Sequence, residues 1–304
     1  MISGIRNIGI AGTGRMGTAL AVRLLALGNG VSVWNRTLEK TEVAARAGAS
    51  VSRTAGELAA RCDAVITILT NAAAVEAIYL EPDGLLSGST AGKLFIDMST
   101  VPVDSHQGLA AKVAARGALF LECPVSGTVG PAQEGKLVGF VGGTPEAFAR
   151  ARPLLEQVCR RVELIGPLGS GAKMKLAVNL VLTVFWQALA EALSLVRSVN
   201  IEPARLIDLF ADSNIGAGIL RARGAQIAAA LAGQDTGAAT FDIDFMRKDM
   251  RDMLREAQTL GIALPALAGT LQAFDQASEA GYGGIDGTRY PAYWVGHVSS
   301  TAQI

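Results

Sequence analysis

The stretch Asn7-Ile8-Gly9-Ile10-Ala11-Gly12-Thr13-Gly14-Arg15-Met16-Gly17 decides the fold of this chain. Its first five residues are strand-like, with an apolar run at residues 8–11 that is typical of a buried strand, and a helical pattern follows the last glycine. The glycines have the G-x-G-x-x-G spacing, which permits a tight turn, a close backbone approach and close helix–strand packing. A plain tight turn is the alternative. We predict that the loop binds a dinucleotide pyrophosphate at a helix N-terminus. The residues concerned are Gly12, Thr13, Gly14, Arg15, Met16 and Gly17.

Strand-like apolar runs alternate with helical patterns through the first half of the chain. The strand-like runs cover residues 7–11, 31–34, 64–69, 94–98, 119–121, 137–141 and 162–165, and the helical patterns include 18–27 and 38–47. Such alternation is typical of a parallel sheet with helices on both faces. We therefore predict the α/β class, with a doubly wound Rossmann sheet in an N-terminal domain.

The pattern changes after Gly166-Pro167. From residue 172 onward no convincing strand is present, and an irregular tail is expected from Tyr282. Helices are predicted at 173–199, 203–211, 219–230, 243–260 and 265–280. The prediction is an all-α C-terminal domain, 167–304, joined to the Rossmann domain, 1–166, by a long interdomain helix. The apolar stretch 177–190 is shorter than the roughly 20 residues that span a bilayer, so we interpret it as core or interface.

Charge and cysteine content limit the classes of function. The 304 residues include 27 basic and 27 acidic side chains, and zero net charge argues against nucleic acid or an anionic membrane as the main partner. Three widely spaced cysteines form neither a disulfide nor a zinc pattern, and His106 and His297 are isolated, so no metal is expected. No secretory signal precedes the first strand, so we expect a cytoplasmic protein.

The second strand-like run, 31–34, is followed by Asn35-Arg36-Thr37. A site that prefers NAD usually has an acidic residue here, which accepts hydrogen bonds from the ribose, whereas arginine can pair with a 2′-phosphate. We therefore predict that NADP(H) is preferred over NAD(H). The alternative is that Arg36 is an ordinary surface side chain. Ligands collect at the carboxyl ends of parallel strands, and three further cofactor contacts are predicted there: Thr70, Asn71 and Thr100.

A lysine near the start of a long apolar helix is the most informative chemical group. Gly169-Ser170-Gly171 leads into Lys175, and Asn179 follows one helical turn later on the same face. A solvated lysine is the alternative, because most lysines are exposed. Elsewhere, Ser126-Gly127-Thr128 offers a hydroxyl and backbone N–H groups that can hold an anion. Lys248-Asp249 interrupts the apolar face of another predicted helix.

These motifs, taken in order along nearly the whole chain, resemble the β-hydroxyacid dehydrogenase family. That family includes 3-hydroxyisobutyrate dehydrogenases, tartronate semialdehyde reductases and glyoxylate/succinic semialdehyde reductases. The segments that carry the resemblance are 12–17, 124–127, 169–179 and 248–249. The resemblance implies an NAD(P)-dependent oxidoreductase acting on CH–OH groups. In it, Lys175 is the general acid in carbonyl reduction and the base in the reverse direction.

The resemblance also implies roles for residues around Lys175. Asn179 helps to position the substrate for catalysis, and Thr100 lies between cofactor and substrate. The residues implied to bind substrate are Ser126, Gly127, Thr128, Lys248 and Phe241. Lys248 and Asp249 are also implied to contact the cofactor.

Within the family, three segments most resemble the NADPH-dependent glyoxylate/succinic semialdehyde reductases: 35–37, 97–101 and 126–132. Val178 stands where many members carry a second asparagine, and Cys123 replaces a frequent alanine. Val129-Gly130 replaces a lysine pair of the glyoxylate-type enzymes. We expect NADPH-dependent reduction of a small, carboxylate-bearing aldehyde or keto acid to the hydroxy acid.

Other activities remain as alternatives. A 3-hydroxyisobutyrate-type dehydrogenase would oxidise a β-hydroxyacid, and an imine reductase usually has another residue in place of Lys175. A 6-phosphogluconate dehydrogenase is disfavoured by the chain length, and a catalytically inactive scaffold by the retained lysine. The family forms dimers or tetramers. The apolar helix 176–195 is compatible with a homodimer or homotetramer, with an intradomain core as the alternative.

Overall fold

The computed structural model of the chain describes residues 5–213 and 218–297. The chain divides into two compact units, Met1–Ala177 and Val178–Ile304. The division falls inside one long helix, eleven residues beyond the predicted boundary at residue 166. Each unit has an architecture of its own.

The first unit, as described from residue 5 onward, is built on a nine-stranded sheet. Its strands are β1 (Asn7–Ala11), β2 (Gly30–Trp34), β3 (Ser50–Val51), β4 (Ala64–Thr67), β5 (Leu94–Asp97), β6 (Leu119–Glu122), β7 (Val125–Ser126), β8 (Leu137–Gly142) and β9 (Cys159–Gly166). Their order is β3-β2-β1-β4-β5-β6-β8-β7, with β9 beside β8. The pairs from β3 to β6 are parallel, in the Rossmann order, which confirms the predicted class.

The strand order reverses between β1 and β4, which are neighbours in the sheet. Their carboxyl ends, Ala11 and Thr67, are register partners at the same edge. In open α/β sheets ligands bind at such a switch point. Strands β4 and β5 are buried at every position, as parallel strands are when helices cover both faces of the sheet. The fold therefore directs attention to the edge where β1, β4 and β5 end.

Helices cover both faces of this sheet. Those described in the first unit are α1 (Arg15–Ala26), α2 (Glu42–Arg46), α3 (Ala55–Arg61), α4 (Ala72–Leu80), α5 (Ser105–Ala114), α6 (Val129–Glu134) and α7 (Pro145–Leu155). Successive strand residues point to opposite faces. As a result, Ile66 packs in the core that contains Leu20 of α1, whereas Val65 packs in the core that contains Tyr79 of α4.

Several short elements of the first unit differ from the prediction. Strands β3 and β7 have two residues each, which is too short to show an alternating pattern, and they exist because they pair with β2 and β8. The single helix predicted at 38–47 is a 3-10 turn, Leu38–Thr41, followed by α2. The predicted strand at 162–165 is part of the longer β9.

The second unit is helical. The long helix α8 (Ser170–Leu195) begins in the first unit and continues into the second. It is followed by α9 (Pro203–Asp212), α10 (Gly218–Leu231), α11 (Ile243–Leu260), α12 (Pro265–Ala277) and α13 (Tyr290–His297). Between residue 172 and residue 297, outside the gap at 214–217, the structure has no strand beyond one isolated bridge, Asp242–Asp286. The predicted all-α region is therefore confirmed.

The irregular tail predicted from Tyr282 is wrong for residues 290–297, which form α13. Tyr290 is fully buried and its ring stacks on Phe274, with centroids 4.0 Å apart. Tyr293 packs against Tyr282 at 4.6 Å. Aromatic contacts hold this helix in place, and a segment of eight residues is too short for a helical period to reveal it. The rest of the predicted tail, 298–304, lies outside the described residues.

Helix α8 is longer than the apolar stretch 177–190 that it contains. It has 26 residues, and by the two criteria of length and apolar composition it is the one described helix that could cross a membrane. The stretch 177–190 is itself shorter than the roughly 20 residues that span a bilayer, but the whole helix meets both criteria. The core helix of a soluble protein meets the same criteria. The role of α8 has to be argued from the residues that it carries.

Candidate active site

The glycine loop after β1 has a shape that side chains would prevent. Gly12 has φ +101°, and a Cβ there would lie 2.5 Å from the Ile68 carbonyl oxygen. A Cβ on Gly17 would collide with the Gly12 carbonyl oxygen, so the helix packs directly on the turn. Gly14 is different, because a Cβ there would meet nothing within 4 Å. Open backbone at the start of α1 is what a pyrophosphate requires.

The Asn35 side chain forms hydrogen bonds beside this loop. Its Oδ1 accepts a hydrogen bond from the Thr13 amide at 3.1 Å, and its Nδ2 donates to the Thr37 carbonyl oxygen at 2.8 Å. The amide side chain therefore ties the glycine loop to the turn after β2. The Gly12 amide adds a bond to the Trp34 carbonyl at 2.8 Å. Arg36, next to Asn35, is exposed at this turn.

The ends of β4 and β5 are joined by polar contacts. The Leu69 amide donates to Ser99 Oγ at 2.9 Å, which links the two segments that follow these strands. Thr100 comes next and is half-buried. Thr70 and Asn71 are exposed, and Asn71 caps α4 by accepting from the Ala74 amide at 2.8 Å. The predicted contacts after β4 and β5 thus follow the carboxyl ends of adjacent strands of the sheet.

The segment after β7 bends at Gly127. Ser126 is half-buried, and Gly127 has φ +129°, a left-handed conformation that favours glycine. A Cβ on Gly127 would lie 2.6 Å from a methyl group of Leu137. Thr128 is the extended residue before α6. The chain therefore reverses sharply between Ser126 and Thr128.

Lys175 is half-buried in the second turn of α8, and a buried carboxylate fixes the start of that helix. Glu122 Oε1 accepts from the amides of Gly169 at 2.8 Å, Gly171 at 2.9 Å and Ala172 at 3.3 Å. A helix leaves its first amides without intrahelical partners, and an anion there is favoured by the helix dipole. A Cβ on Gly171 would collide with the Phe140 carbonyl oxygen, which explains the glycine.

The second unit joins three of the predicted site residues in one polar cluster. Asn179 Nδ2 donates to Asp249 Oδ2 at 2.8 Å, and both residues are buried. Lys248 Nζ lies 3.2 Å from Asp249 Oδ1 and 3.2 Å from Asp252 Oδ2. Asp249 therefore connects the amide on α8 to the ammonium group on α11. Asp252 is a member of this cluster that the sequence reasoning missed.

Phe241 lies in the turn before α11, and the Asp286 carboxylate accepts hydrogen bonds from the backbone of this turn. The Asp286 carboxylate accepts from the Thr240 amide at 2.6 Å and the Phe241 amide at 3.3 Å, and Arg223 lies 3.4 Å away. Burial opposes ionisation of Asp286, but hydrogen bonds from the amides of Thr288 and Thr240 hold its pKa below the usual range. The half-buried Phe241 ring is thus carried by a rigid turn.

The expectation that His106 is isolated is wrong. Its Nε2 lies 2.6 Å from Asp97 Oδ2 and its Nδ1 lies 2.5 Å from Glu122 Oε2, and all three side chains are fully buried. Burial opposes the charged imidazolium, but the two carboxylates raise the pKa of His106 to about 10. Burial likewise opposes ionisation of Asp97, and its hydrogen bond with His106 holds its pKa below the usual range. The partners lie on β5, α5 and β6, so no local pattern revealed them.

The three cysteines are free, buried thiols. Burial raises the pKa of Cys62 to about 11 and that of Cys159 to about 12, and it also raises the pKa of Cys123 well above the usual range. The thiolate is the reactive form of cysteine, so these groups are inert packing residues. Over residues 5–213 and 218–297, no group of His, Cys, Asp and Glu side chains has the arrangement of a metal site.

A Rossmann sheet with an open glycine loop at its switch point defines a class, the NAD(P)-binding proteins. Two family models match the chain. Residues 7–166 match the NAD binding domain of 6-phosphogluconate dehydrogenase, and residues 169–292 match the NAD-binding domain of NADP-dependent 3-hydroxyisobutyrate dehydrogenase. Together they cover both halves of the chain, in order.

Relatives and solved structures narrow the class. Glyoxylate/succinic semialdehyde reductase 1 of Arabidopsis thaliana is 29% identical over 92% of this chain and 95% of its own length. L-threonate dehydrogenase of Cupriavidus necator is 33% identical over 92% of this chain and 93% of its own. The structure of Psf3 in complex with NADP+ and 2-OPP is 28% identical, with a TM-score of 0.85 over 94% of this chain and 99% of that one. The chain belongs to the β-hydroxyacid dehydrogenase family of NAD(P)-dependent oxidoreductases, which act on CH–OH groups.

Proposed function

We propose that this enzyme reduces a small, carboxylate-bearing aldehyde or keto acid to the hydroxy acid with NADPH, and that Lys175 is the general acid. The observation that carries the proposal is the setting of Lys175. It is a half-buried lysine on a helix whose first amides are anchored to the Rossmann sheet through Glu122. A flexible surface lysine would have no such support.

The chemistry assigns a task to each group. Bound NADPH supplies the hydride. Negative charge then develops on the carbonyl oxygen, and the Lys175 ammonium stabilises this charge and delivers a proton to it. In the reverse direction the neutral amine accepts the proton from the hydroxyl group. We assign the substrate carboxylate to the Ser126 hydroxyl and to the amides of Gly127 and Thr128, at the sharp chain reversal that Gly127 permits.

Other residues are proposed to position the reactants. Asn179 is held by Asp249, and Asp249 by Lys248, so a change at one of the three affects the others. We propose that Asn179 orients the substrate and that Lys248 and Phe241 contribute to its binding, with Asp249 and Lys248 also on the cofactor side. Thr100 is proposed to lie between cofactor and substrate.

We propose NADP(H) as the preferred cofactor. The glycine loop fits a pyrophosphate, with an open backbone at Gly14. The turn after β2 carries Asn35 in place of the carboxylate that would select NAD, and the exposed Arg36 follows it. The remaining cofactor contacts we propose are Thr13, Arg15, Met16, Asn35, Thr37, Thr70 and Asn71. The relative Psf3 binds NADP+, and the family model for the second half describes an NADP-dependent enzyme, which supports the same preference.

Domain roles, assembly and location are proposed on the same basis. We propose that residues 1–166 bind the cofactor and that 167–304 serve substrate binding and dimerisation, in a cytoplasmic homodimer or homotetramer. Large apolar side chains of α8 are exposed in the single chain, with Val181 69% and Leu195 85% accessible. A second copy of the chain would remove such surface from water.

The decisive test compares two lysines of α8. Lys175→Ala should lower kcat at least 100-fold while the NADPH Kd changes less than twofold, because general acid catalysis contributes about 10²–10⁴. Lys173→Ala is the matched control, since Lys173 is an exposed lysine two residues away. Wild-type turnover in Lys175→Ala would show that Lys175 is not the general acid.

A substrate panel decides between the remaining activities. Glyoxylate, succinic semialdehyde, methylmalonate semialdehyde, tartronate semialdehyde and a cyclic imine should each be tried with NADPH and NADH. L-threonate and 3-hydroxyisobutyrate test the oxidative direction, which the 33% identity to an L-threonate dehydrogenase favours as the second candidate. Reduction of the imine without reduction of any carbonyl would replace the proposal with an imine reductase.

A further inference from the structure

A continuous chain of buried polar groups runs from the end of β4 to the start of α8. Thr67 Oγ1 donates to Asp97 Oδ1 at 2.6 Å, and Ser99 Oγ donates to the same oxygen at 2.7 Å. The other Asp97 oxygen meets His106, and the far nitrogen of His106 meets Glu122. Glu122 then accepts the first amides of α8. All of these contacts lie within the first unit.

The two oxygens of Glu122 have separate tasks. Oε1 accepts from the helix amides, while Oε2 faces His106. The carboxylate can hold this orientation only while a protonated His106 pairs with it as a cation. Without that proton, Asp97 and Glu122 would be two buried anions on neighbouring strands, and one of them would have to accept a proton or move.

The surroundings keep the proton on His106. Two carboxylates face its ring, one from β5 and one from β6, and the Phe120 ring packs 5.9 Å away. Two further titratable groups lie beside the cluster, the Tyr79 hydroxyl near Asp97 and the Cys123 thiol near Glu122. Burial raises the pKa of both, so neither carries a charge near neutral pH. The cluster therefore places the His106 ring between two acidic side chains, with the helix amides and two hydroxyls as additional donors.

We propose that His106 is a positioning residue for the reaction: by bridging Asp97 and Glu122, it holds the Glu122 carboxylate against the first amides of α8 and thereby fixes the place of Lys175. The proposal rests on the proposed role of Lys175. Gly169 and Lys175 are six residues apart, about 9 Å along a helix axis. A shift at the helix start is carried directly to the ammonium group, and a displacement of about 1 Å can cost 10²-fold in rate.

The same chain of bonds reaches the cofactor side of the sheet. Ser99 accepts from the Leu69 amide, which follows β4, and it precedes Thr100, the residue proposed to lie between cofactor and substrate. The network thus fixes two parts of the proposed site to each other: the segments after β4 and β5, and the helix that carries the acid. A side chain that only filled the core would not need two carboxylate partners.

The experiment uses Glu122→Gln and His106→Gln, with Glu202→Gln as the matched control. Glu202 is also a carboxylate that caps a helix, α9, through the amides of Ala204 and Arg205, but it is exposed and in the second unit. For each variant we would measure kcat, KM, the NADPH Kd by fluorescence and the melting temperature. Hydrogen exchange of the peptide that spans residues 169–176 reports on the helix start independently of activity.

Both Glu122→Gln and His106→Gln should lower kcat at least 10-fold, with the NADPH Kd within twofold and faster exchange at residues 169–176. In Glu122→Gln the cluster also loses a negative charge close to the helix start. The pKa of the Lys175 ammonium should fall, and the alkaline limb of the kcat/KM profile should move about 0.5 pH unit lower. Glu202→Gln should match the wild type in all of these measurements.

A purely structural role gives a different result. The melting temperature would fall in the two variants, while kcat and the pH profile, measured well below that temperature, would stay at wild-type values. That outcome overturns the proposal. If His106→Gln does not fold, Glu122→Gln decides alone, because it keeps an acceptor oxygen for the helix amides. The Lys175→Ala variant separates the two ideas: full turnover there refutes the general acid, whatever the exchange at residues 169–176 shows.

Discussion

The buried His106 should make the stability of the protein fall on the alkaline side of neutrality. Its pKa is raised from 6.5 to about 10 in the folded chain, because two carboxylates outweigh the effect of burial. A group whose pKa is raised on folding stabilises the folded state fully below its unfolded pKa. That stabilisation is lost as the pH rises through the folded pKa. The window for this group is therefore pH 6.5 to about 10.

The expected size follows from linkage. One pKa unit corresponds to about 1.4 kcal/mol. A rise from 6.5 to about 10 gives an upper limit of about 5 kcal/mol, which is comparable to the whole stability of many domains. Unfolding should therefore become much easier between pH 7 and pH 10.

Urea unfolding at a series of pH values between 6 and 10.5, about the window given by linkage, would test this. The reference should be the double variant His106→Gln/Glu122→Gln. Replacing His106 alone would leave two facing carboxylates, one of which would itself titrate. Lysines, tyrosines and thiols are common to both proteins, so the difference in unfolding free energy isolates the cluster. That difference should shrink by about 3–5 kcal/mol across the window. A difference that is flat, or that grows with pH, would refute a protonated His106 between the carboxylates.

Four further substitutions test other parts of the structure. Gly17→Ala should abolish NADPH binding or destabilise the protein by about 2–4 kcal/mol, because its Cβ would collide with the glycine loop. Gly14→Ala adds a methyl group to open space and should preserve the melting temperature. Arg36→Ala should weaken NADPH binding about 10–100-fold and NADH binding less than twofold, as measured by fluorescence titration, and equal weakening of both would count against 2′-phosphate recognition. Asp286→Ala should lower the free energy of unfolding, measured by chemical denaturation, by about 3 kcal/mol and should raise KM for the substrate, because the turn that carries Phe241 loses its hydrogen-bond acceptor. An unchanged KM would show that Phe241 does not contribute to substrate binding.

The sequence predicted elements well where local signals are strong. Strand β1 and helix α11 have the predicted bounds, Asn7–Ala11 and Ile243–Leu260. Residues 8–11 of the strand are a continuous apolar run. The helix is bounded by Asp242, which caps its first turn, and by Gly261, whose φ of +67° ends it. Both kinds of signal lie within a few residues of the element that they define.

Other features depend on partners that are distant in the sequence. Strand β7 is formed by pairing with β8, and α13 by the stacking of Tyr290 on Phe274. The His106 cluster joins residues from three elements, and the bond from Gly169 to Glu122 spans 47 positions. The sequence therefore predicted the glycine loop and the lysine motif, while the buried network that supports the lysine required the fold.

The amide of Asn35 has an implication for how cofactor preference could change during evolution. Its oxygen accepts from Thr13 and its nitrogen donates to Thr37, so both ends of the side chain are engaged. An aspartate at this position would bring the carboxylate that selects NAD, but one of its oxygens would then face the Thr37 carbonyl. The two acceptors would repel each other. Under the proposed preference for NADP, a change to NAD by that single step would loosen the glycine loop, so it would need a compensating change near Thr37.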